Sequence, residues 1–369
     1  MKHEEQFHGS DLEKIEQIYH IKKEEITSFS ANVNPLGISY KLRETLASHI
    51  DAITSYPDRD YINLRKAIGD YVHTDYHHIL VGNGSSELIS AFIQSQKPEK
   101  ALILGPTYSE YEREVLLSGG RCHYFPLKEE EQFQLNLPSF FDTLQPDIDL
   151  LILCNPNNPT SSQITSQDMR KILDVCKQKD IFVMIDETYI EFTENIQSIT
   201  SIPLTEYYNN LIVLRGVSKF FAAPGLRLGY AICGNADLVH EINQKKNPWT
   251  INSLAAIAGE IMFSDQEYIQ NTRTLISTER QRICEKLSHC DSLRIYPCHA
   301  NFLLVRILDP NISADDVFEA AIQQKLMIRN CSTFPFLDNQ YFRFCFMSPA
   351  KNDELLNVIL SLFSIEIDK

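Results

Sequence analysis

One lysine stands among apolar residues in "VLRGVSKFFAAPGLRLGY" (Val213–Tyr230), and Arg227 follows it across a Pro-Gly turn. In that company Lys219 needs a paired anion, a route to solvent or a chemical use. Desolvation lowers the pKa of an ammonium and turns the amine into a nucleophile toward carbonyls. Three other stretches carry groups that suit such a use. "MIDETY" puts Asp186 at the end of an apolar run, where a carboxylate is costly to bury unless it faces a cation, and Tyr189 follows closely. "VGNGSSEL" sets Gly82 and Gly84 ahead of Ser85 and Ser86 at an expected helix start. Backbone N–H groups there can hold a phosphate, although a plain turn with an N-cap gives the same pattern. "CNPNNPTSS" confines Asn155, Asn157 and Asn158 between prolines, as a turn or as amides held to donate.

One ligand meets these demands together: pyridoxal 5'-phosphate. Its aldehyde suits Lys219 and its protonated pyridine nitrogen suits Asp186, while its phosphate suits the glycine loop, Ser218 and Arg227.

The elements that must position these groups read as short apolar runs. They are His78–Gly84, Ala101–Pro106, Leu150–Pro156, Ile181–Glu187, Leu211–Gly216 and Leu228–Cys233. None alternates as a strand with one wet face would, so both faces are expected to be covered, as in parallel sheets. Ser166–Asp180 has the helical period and lies between two of the runs. The expected fold is α/β, a three-layer αβα sandwich with a mostly parallel sheet, in which ligands collect beyond the strand carboxyl ends. From about Asn271 onward, helical segments and then "LRIYPC", "NFLLVRI", "MIRNC" and "YFRFCF" predict a smaller α+β domain. The expected division is an N-terminal arm over 1–45 packing with that small domain, a large domain over 46–270 and the small domain over 271–369.

Composition narrows the function classes. The chain has 369 residues, 43% hydrophobic and 22% charged, an ordinary globular balance. A formal net charge of -15 argues against nucleic acid as a partner, while local arginines can still hold a small anion. No apolar run approaches the roughly 18 residues a bilayer span needs, and "MKHEEQFHGS" lacks a signal core. Nine scattered cysteines without a C-x-x-C pair point to reduced thiols, hence to the cytoplasm. The eleven histidines show no metal spacing, and His77 and His78 read as surface or capping residues.

With "NGSSE", "PTY", "NPNNPT", "DETY", "SK" and "GLRLGY" in that order, the sequence resembles, nearly end to end, the class I/II aminotransferases of pyridoxal-phosphate fold type I. The resemblance implies a homodimer with shared active sites. It implies that Lys219 carries the cofactor as a Schiff base and that Asp186 keeps the pyridine nitrogen protonated. Tyr189 and Asn158 would hydrogen-bond the ring's phenolate oxygen, and Tyr108 would stack on the ring. Gly84, Ser85, Ser86, Ser218 and Arg227 would hold the phosphate, joined by Tyr56 reaching across from the other subunit. Arg343 would grip a substrate carboxylate through a forked contact.

Two branches of the family compete. "FHGSDLEKI", "SFSANVNPLG" and "NPWTINSLAAIAGE" are similar to threonine-phosphate decarboxylases, which make aminopropanol phosphate for the cobalamin nucleotide loop. That likeness implies His8, Asn32 and Arg329 at a substrate phosphate. The core motifs also resemble histidinol-phosphate aminotransferases, whose substrate has an amine and a phosphate but no carboxylate. Either way the implied substrate is a small phosphorylated amine. A non-catalytic cofactor-binding protein is a third reading, which the intact Lys219, Asp186 and Tyr189 disfavour. Three positions depart from the pattern. Gly216 stands where relatives offer a hydroxyl, and Ser161 and Ser10 replace glycines. The first two are expected to reshape cofactor contacts, and the third weakens the likeness to the decarboxylases.

Overall fold

The computed structural model describes residues 11–363. Its main sheet has seven strands: β1 (Ile79–Asn83), β2 (Lys100–Gly105), β3 (Arg121–Pro126), β4 (Leu150–Cys154), β5 (Phe182–Asp186), β6 (Leu211–Gly216) and β7 (Leu228–Ile232). Their spatial order is β1-β7-β6-β5-β4-β2-β3.

The apolar runs lack alternation because alternate residues feed two different cores. Leu151, Leu153, Val183, Ile185, Leu211 and Val213 join one, and Leu150, Ile152, Met184, Ile212 and Leu214 join the other. Helices Gly84–Gln96, Glu110–Leu117 and Ala236–Lys245 cover the second face through Leu88, Phe92, Tyr111 and Leu238. Helices Ile62–Val72, Ser166–Gln178, Ser253–Met262 and Gln266–Ser288 cover the first through Leu64, Ile172, Ala255 and Ile276. This is the expected three-layer sandwich. Each fully buried aliphatic side chain contributes about 1.5–3 kcal/mol, so two covered faces hold the sheet firmly between the helices.

Two features differ from the sequence reading. β3 escaped it because this edge strand, "RCHYFP", alternates exposed and half-buried residues and has no apolar run. β7 was grouped with the parallel set, yet it runs antiparallel to both β1 and β6. Gly216 pairs with Gly229, so the eleven residues 217–227 form a return loop between neighbouring strands. That reversal brings Lys219 and Arg227 to the same edge of the sheet.

A second sheet contains β8 (Leu293–Ile295), β9 (Phe302–Ile307), β10 (Arg329–Asn330) and β11 (Tyr341–Cys345), antiparallel in the order β10-β11-β9-β8. These are the four runs expected in the C-terminal part. The N-terminal segment packs on it: Thr27–Ser28 pair with Leu326–Met327, and Cys345 N donates to Phe29 O at 2.8 Å. Helix Gln266–Ser288 passes residue 270 without a break. No helix among the described residues is long and apolar enough to cross a membrane.

Gly229 matters for close approach. A Cβ there would run into Ser85 N and the Gly84 main chain, at the start of helix Gly84–Gln96. Gly229→Ala is expected to lower stability by about 1–3 kcal/mol through overpacking, read as a fall in the urea midpoint. Gly225→Ala, where a Cβ meets nothing within 4 Å, is expected to stay within about 0.5 kcal/mol of the wild type.

Candidate active site

β1, β2, β4, β5 and β6 point the same way, so their carboxyl ends share one edge, and β7 begins there. Open α/β sheets gather ligands at such an edge. Lys219 sits on the return loop after β6, with its Nζ donating to Ala31 O at 2.6 Å and its carbonyl accepting from Asn34 N at 3.0 Å. Among the described residues no carboxylate forms an ion pair with it. Burial first, and then the Arg343 guanidinium, push its pKa down to about 8, with Arg227 adding to the shift.

Asp186 ends β5 and is buried. Its Oδ2 accepts from Tyr111 OH at 2.7 Å, and its Oδ1 accepts from Thr188 N at 2.9 Å and Thr188 Oγ1 at 2.5 Å. Burial raises its pKa, and these hydrogen bonds oppose the rise. The next residue faces the other way. Glu187 pairs with Arg215 on β6 at 2.8 Å and accepts from Ser201 N at 2.5 Å, which pins the turn that carries Asp186 and Tyr189.

The Tyr189 hydroxyl accepts from Asn32 Nδ2 at 3.3 Å, and burial pushes its pKa up. The Phe302 ring meets Tyr189 edge-on at 4.9 Å and lies 5.2 Å beneath the Arg343 guanidinium. Arg343 is 4% exposed. It donates through Nη1 to Asn158 Oδ1 and through Nη2 to Ser30 O at 2.6 Å. Its Nε and Asn32 Oδ1 are buried polar atoms without a hydrogen-bond partner among the described residues. Arg329 lies directly across the ladder from Arg343. It donates to Thr333 Oγ1 at 2.8 Å, and burial and then Arg343 pull its pKa down to about 10, with Asp11 opposing.

Gly84 opens its helix with φ +77, and a Cβ there would strike the Arg227 guanidinium. Only glycine lets that cation lie against the helix N-terminus, where N–H groups and a guanidinium together favour an anion. Ser85 is half-buried beside Gly216, Ser86 is exposed, and Ser218 is half-buried next to Lys219. Tyr108 meets Tyr111 edge-on at 5.6 Å, and burial pushes its hydroxyl up to about 12.

Lys219, Asp186, Tyr189, Asn158, Asn32, Arg343, Arg329, Gly84 and Arg227 are thus linked by hydrogen bonds, strand pairing, close packing and charge interactions into one set. Tyr56 does not join them. It is 80% exposed and packs at 4.8 Å on Trp249, itself beside Arg59. His8 and Ser10 lie outside the described residues. In the asparagine loop, Asn155 bonds the Ile164 main chain, and Asn157 bonds Pro106 O, Thr107 and Thr160. These two amides hold the loop. Asn158 has its oxygen on Arg343 and, among the described residues, nothing accepting from its Nδ2. Sequence reasoning missed Tyr111, Thr188, Asn301 and Phe302. Only Tyr111 had a legible signal, one helical turn after Tyr108 in "PTYSEY".

The Lys219 shift has a testable sign. Below about pH 8 the folded ammonium is a desolvated cation with no carboxylate partner among the described residues; between about 8 and the ordinary 10.5 the unfolded chain binds the extra proton. Stability therefore rises with pH across that window. In protein prepared without ligand, Lys219→Met is expected to unfold at higher urea than wild type at pH 7, with the gap closing by pH 10.5.

Comparison with known proteins gives three kinds of match. The family model for aminotransferase class I and II matches residues 24–359. Threonine-phosphate decarboxylase of Salmonella typhimurium is 33% identical over 97% of this chain and 96% of its own length. The adenosylcobalamin biosynthesis bifunctional protein CobDQ of Leptospira interrogans is 34% identical over 96% of this chain and 41% of its own. The crystal structure of the histidinol-phosphate aminotransferase from Clostridium acetobutylicum superimposes with a TM-score of 0.85 at 32% identity, covering 90% of this chain and 98% of that one.

Proposed function

Because the chain belongs to the class I and II aminotransferase family, we propose that it is a pyridoxal-phosphate enzyme acting on a phosphorylated amino acid. The best-supported reaction is decarboxylation of threonine O-3-phosphate, or of its serine analogue, as in making aminopropanol phosphate for the cobalamin nucleotide loop. One observation carries this reading: Arg343 and Arg329 face each other across a ladder, and Arg343 has no ion-pair partner among the described residues. A substrate with a carboxylate and a phosphate brings an anion for each. The threonine-phosphate decarboxylase and cobalamin-biosynthesis relatives support it. The alternative is transfer of an amino group from histidinol phosphate to 2-oxoglutarate, favoured by the fold match to such an enzyme. That substrate lacks a carboxylate and would use the two arginines on one phosphate.

The residues present fit the cofactor. A buried Asp186 meets no cation among the described residues, Gly84 leaves room for Arg227 at a helix N-terminus, and a depressed Lys219 amine stands on the neighbouring return loop. Lys219 would hold the aldehyde, Asp186 the pyridine nitrogen, Tyr189 and Asn158 the phenolate oxygen, and Tyr108 the ring face. Gly84, Ser85, Ser86, Ser218 and Arg227 would hold the phosphate. When bound, the group supplies an electron-accepting ring. The chain's part is orientation and proton handling. Arg343 holds the carboxylate by charge-assisted bonds, while Arg329, Asn32 and His8 hold the distal phosphate. Fixing both ends decides which bond of the α-carbon is aligned for cleavage. For the lyase, Lys219 Nζ delivers a proton to the α-carbon after carbon dioxide leaves. For the transferase, the same Nζ would take up the α-proton and hand it back on the far side of the amine nitrogen, so that the nitrogen stays with the cofactor. A neutral amine is accessible to Lys219 near pH 8 because of its burial.

The reading assigns 46–270 to cofactor binding, and 271–369 with the first 45 residues to gripping the substrate. It makes the protein a homodimer in which the exposed Tyr56 serves the neighbouring subunit; the exposed Trp249, Ile50 and Ile53 support such a face. Nine free thiols suit the reducing cytoplasm.

Incubation with threonine phosphate, serine phosphate, and histidinol phosphate plus 2-oxoglutarate decides the reaction. Carbon dioxide without a keto acid identifies the lyase, and glutamate identifies the transferase. Lys219→Ala is expected to abolish turnover together with the borohydride-sensitive absorbance near the visible edge; a variant that keeps either refutes the assignment. Asp186→Asn is expected to fold normally and lose about 10²–10³-fold in kcat, the usual size for removing one preorganised charge. Arg343→Ala is expected to raise KM for threonine phosphate about 10- to 100-fold, measured by initial rates.

A further inference from the structure

At Ser161, which departs from the family pattern, the hydroxyl is taken up by protein groups. Ser161 is fully buried, and its backbone lies in the left-handed region at φ 59, which glycine adopts freely and a serine does not. Its hydroxyl crosses to the other sheet. Oγ accepts from His299 N at 2.9 Å and Ala300 N at 2.8 Å, and it donates to Cys298 Sγ at 3.6 Å. The Ser161 carbonyl also accepts from His299 N at 3.1 Å, and its N–H donates to Asn157 O at 2.8 Å. A glycine would keep the main-chain bonds and lose those to Oγ.

What lies on each side of this bridge matters. Behind it, Asn157 ties the loop to Pro106 and Thr107, and Asn158 takes Arg343 Nη1. Beyond it, Asn301 donates to Asn32 O at 3.0 Å, and Phe302 lies under Arg343 and against Tyr189. Arg280 already holds the carbonyls of His299 and Ala300, at 3.2 and 3.0 Å. The two amides of that segment therefore rely on Ser161. Without the hydroxyl, Ala300 N, in a fully buried residue, loses its acceptor.

We propose that Ser161 is a positioning residue that clasps the Asn158 loop to the 299–302 segment and so fixes where Arg343 holds the substrate carboxylate. The inference rests on the reading of Arg343 given above. The clasp closes a ring of contacts running from Asn158 to Arg343, Phe302, Ala300 and back through Ser161. The ring aligns a side chain from each sheet to within hydrogen-bond tolerance. Opening it leaves both side chains present and lets their separation vary.

The test uses cofactor-loaded wild type, Ser161→Gly and Ser161→Ala with threonine O-phosphate as the probe. Glycine relieves the backbone and alanine does not, so a shared effect belongs to the hydroxyl. Both variants are expected to raise KM, and the calorimetric Kd, by about fivefold or more, with kcat within about threefold, the scale of one buried hydrogen bond. In an Arg343→Ala background the same substitutions are expected to change Kd by less than about twofold, because coupled residues are not additive. A Kd within about twofold of wild type in both variants overturns the proposal, even if the melting temperature falls. So does an undiminished effect in the Arg343→Ala background. If wild type binds the probe without turning it over, the proposed reaction is wrong and the Kd ratios alone decide on Ser161. If wild type does not bind it, both readings fall.

Discussion

The organising constraint of this protein is a group of buried and half-buried cations that meet no carboxylate in an ion pair among the described residues. Lys219 and Arg329 have depressed pKa values, first because burial strips them of water and then because Arg343 repels each of them. Such an arrangement costs stability unless something anionic and specific shares the space. The rest of the fold is arranged so that the cost is tolerable. Two covered faces of a seven-stranded sheet supply much of the stability, and the charges are confined to the seam between its carboxyl edge and the smaller sheet.

A contrast on β5 and its turn makes the point. Asp186 and Glu187 are adjacent and both buried, yet they serve different ends. Glu187 has a full complement of partners in Arg215, Thr200 and Ser201, so it fixes the turn. Among the described residues Asp186 has neutral donors in Tyr111 and Thr188, which orient it, and no counter-charge. Buried ion pairs that are complete build the scaffold; incomplete ones mark the chemistry. Arg215 also lies between Glu187 and Glu191, and burial pushes Glu191 up to about 7, so even the scaffold pair is closely balanced.

The two sheets meet through polar contacts rather than through apolar surface alone. Asn158 reaches Arg343, Ser161 reaches the 299–300 amides, and Glu129 joins Tyr296, Arg294 and Arg306. The three salt-bridging and hydrogen-bonding partners hold the Glu129 carboxyl down to about 2 against the opposing effect of burial. Hydrogen bonds are directional, whereas apolar contacts tolerate sliding. Directional contacts therefore suit a site whose two halves come from different sheets.

The apolar runs determined most of the large sheet, because a strand buried on both faces has one physical solution in sequence: several consecutive aliphatic residues. The motif residues at their ends were legible for the same reason, since a lysine or aspartate beside such a run has few structural excuses. β3 was not legible, because an edge strand needs only one covered face and carries its polar residues in the open. The direction of β7 was not legible either, because "LGYAIC" reads the same both ways, and only the register Gly216 to Gly229 reverses it. Tertiary structure alone decided that Phe302 would sit under Arg343, that Asn301 would hold Asn32, and that Ser161 would turn its hydroxyl toward Ala300. Those contacts join positions from about 40 to nearly 270 residues apart, and their partners are ordinary residue types that become informative only when packing brings them within hydrogen-bond or ring distance.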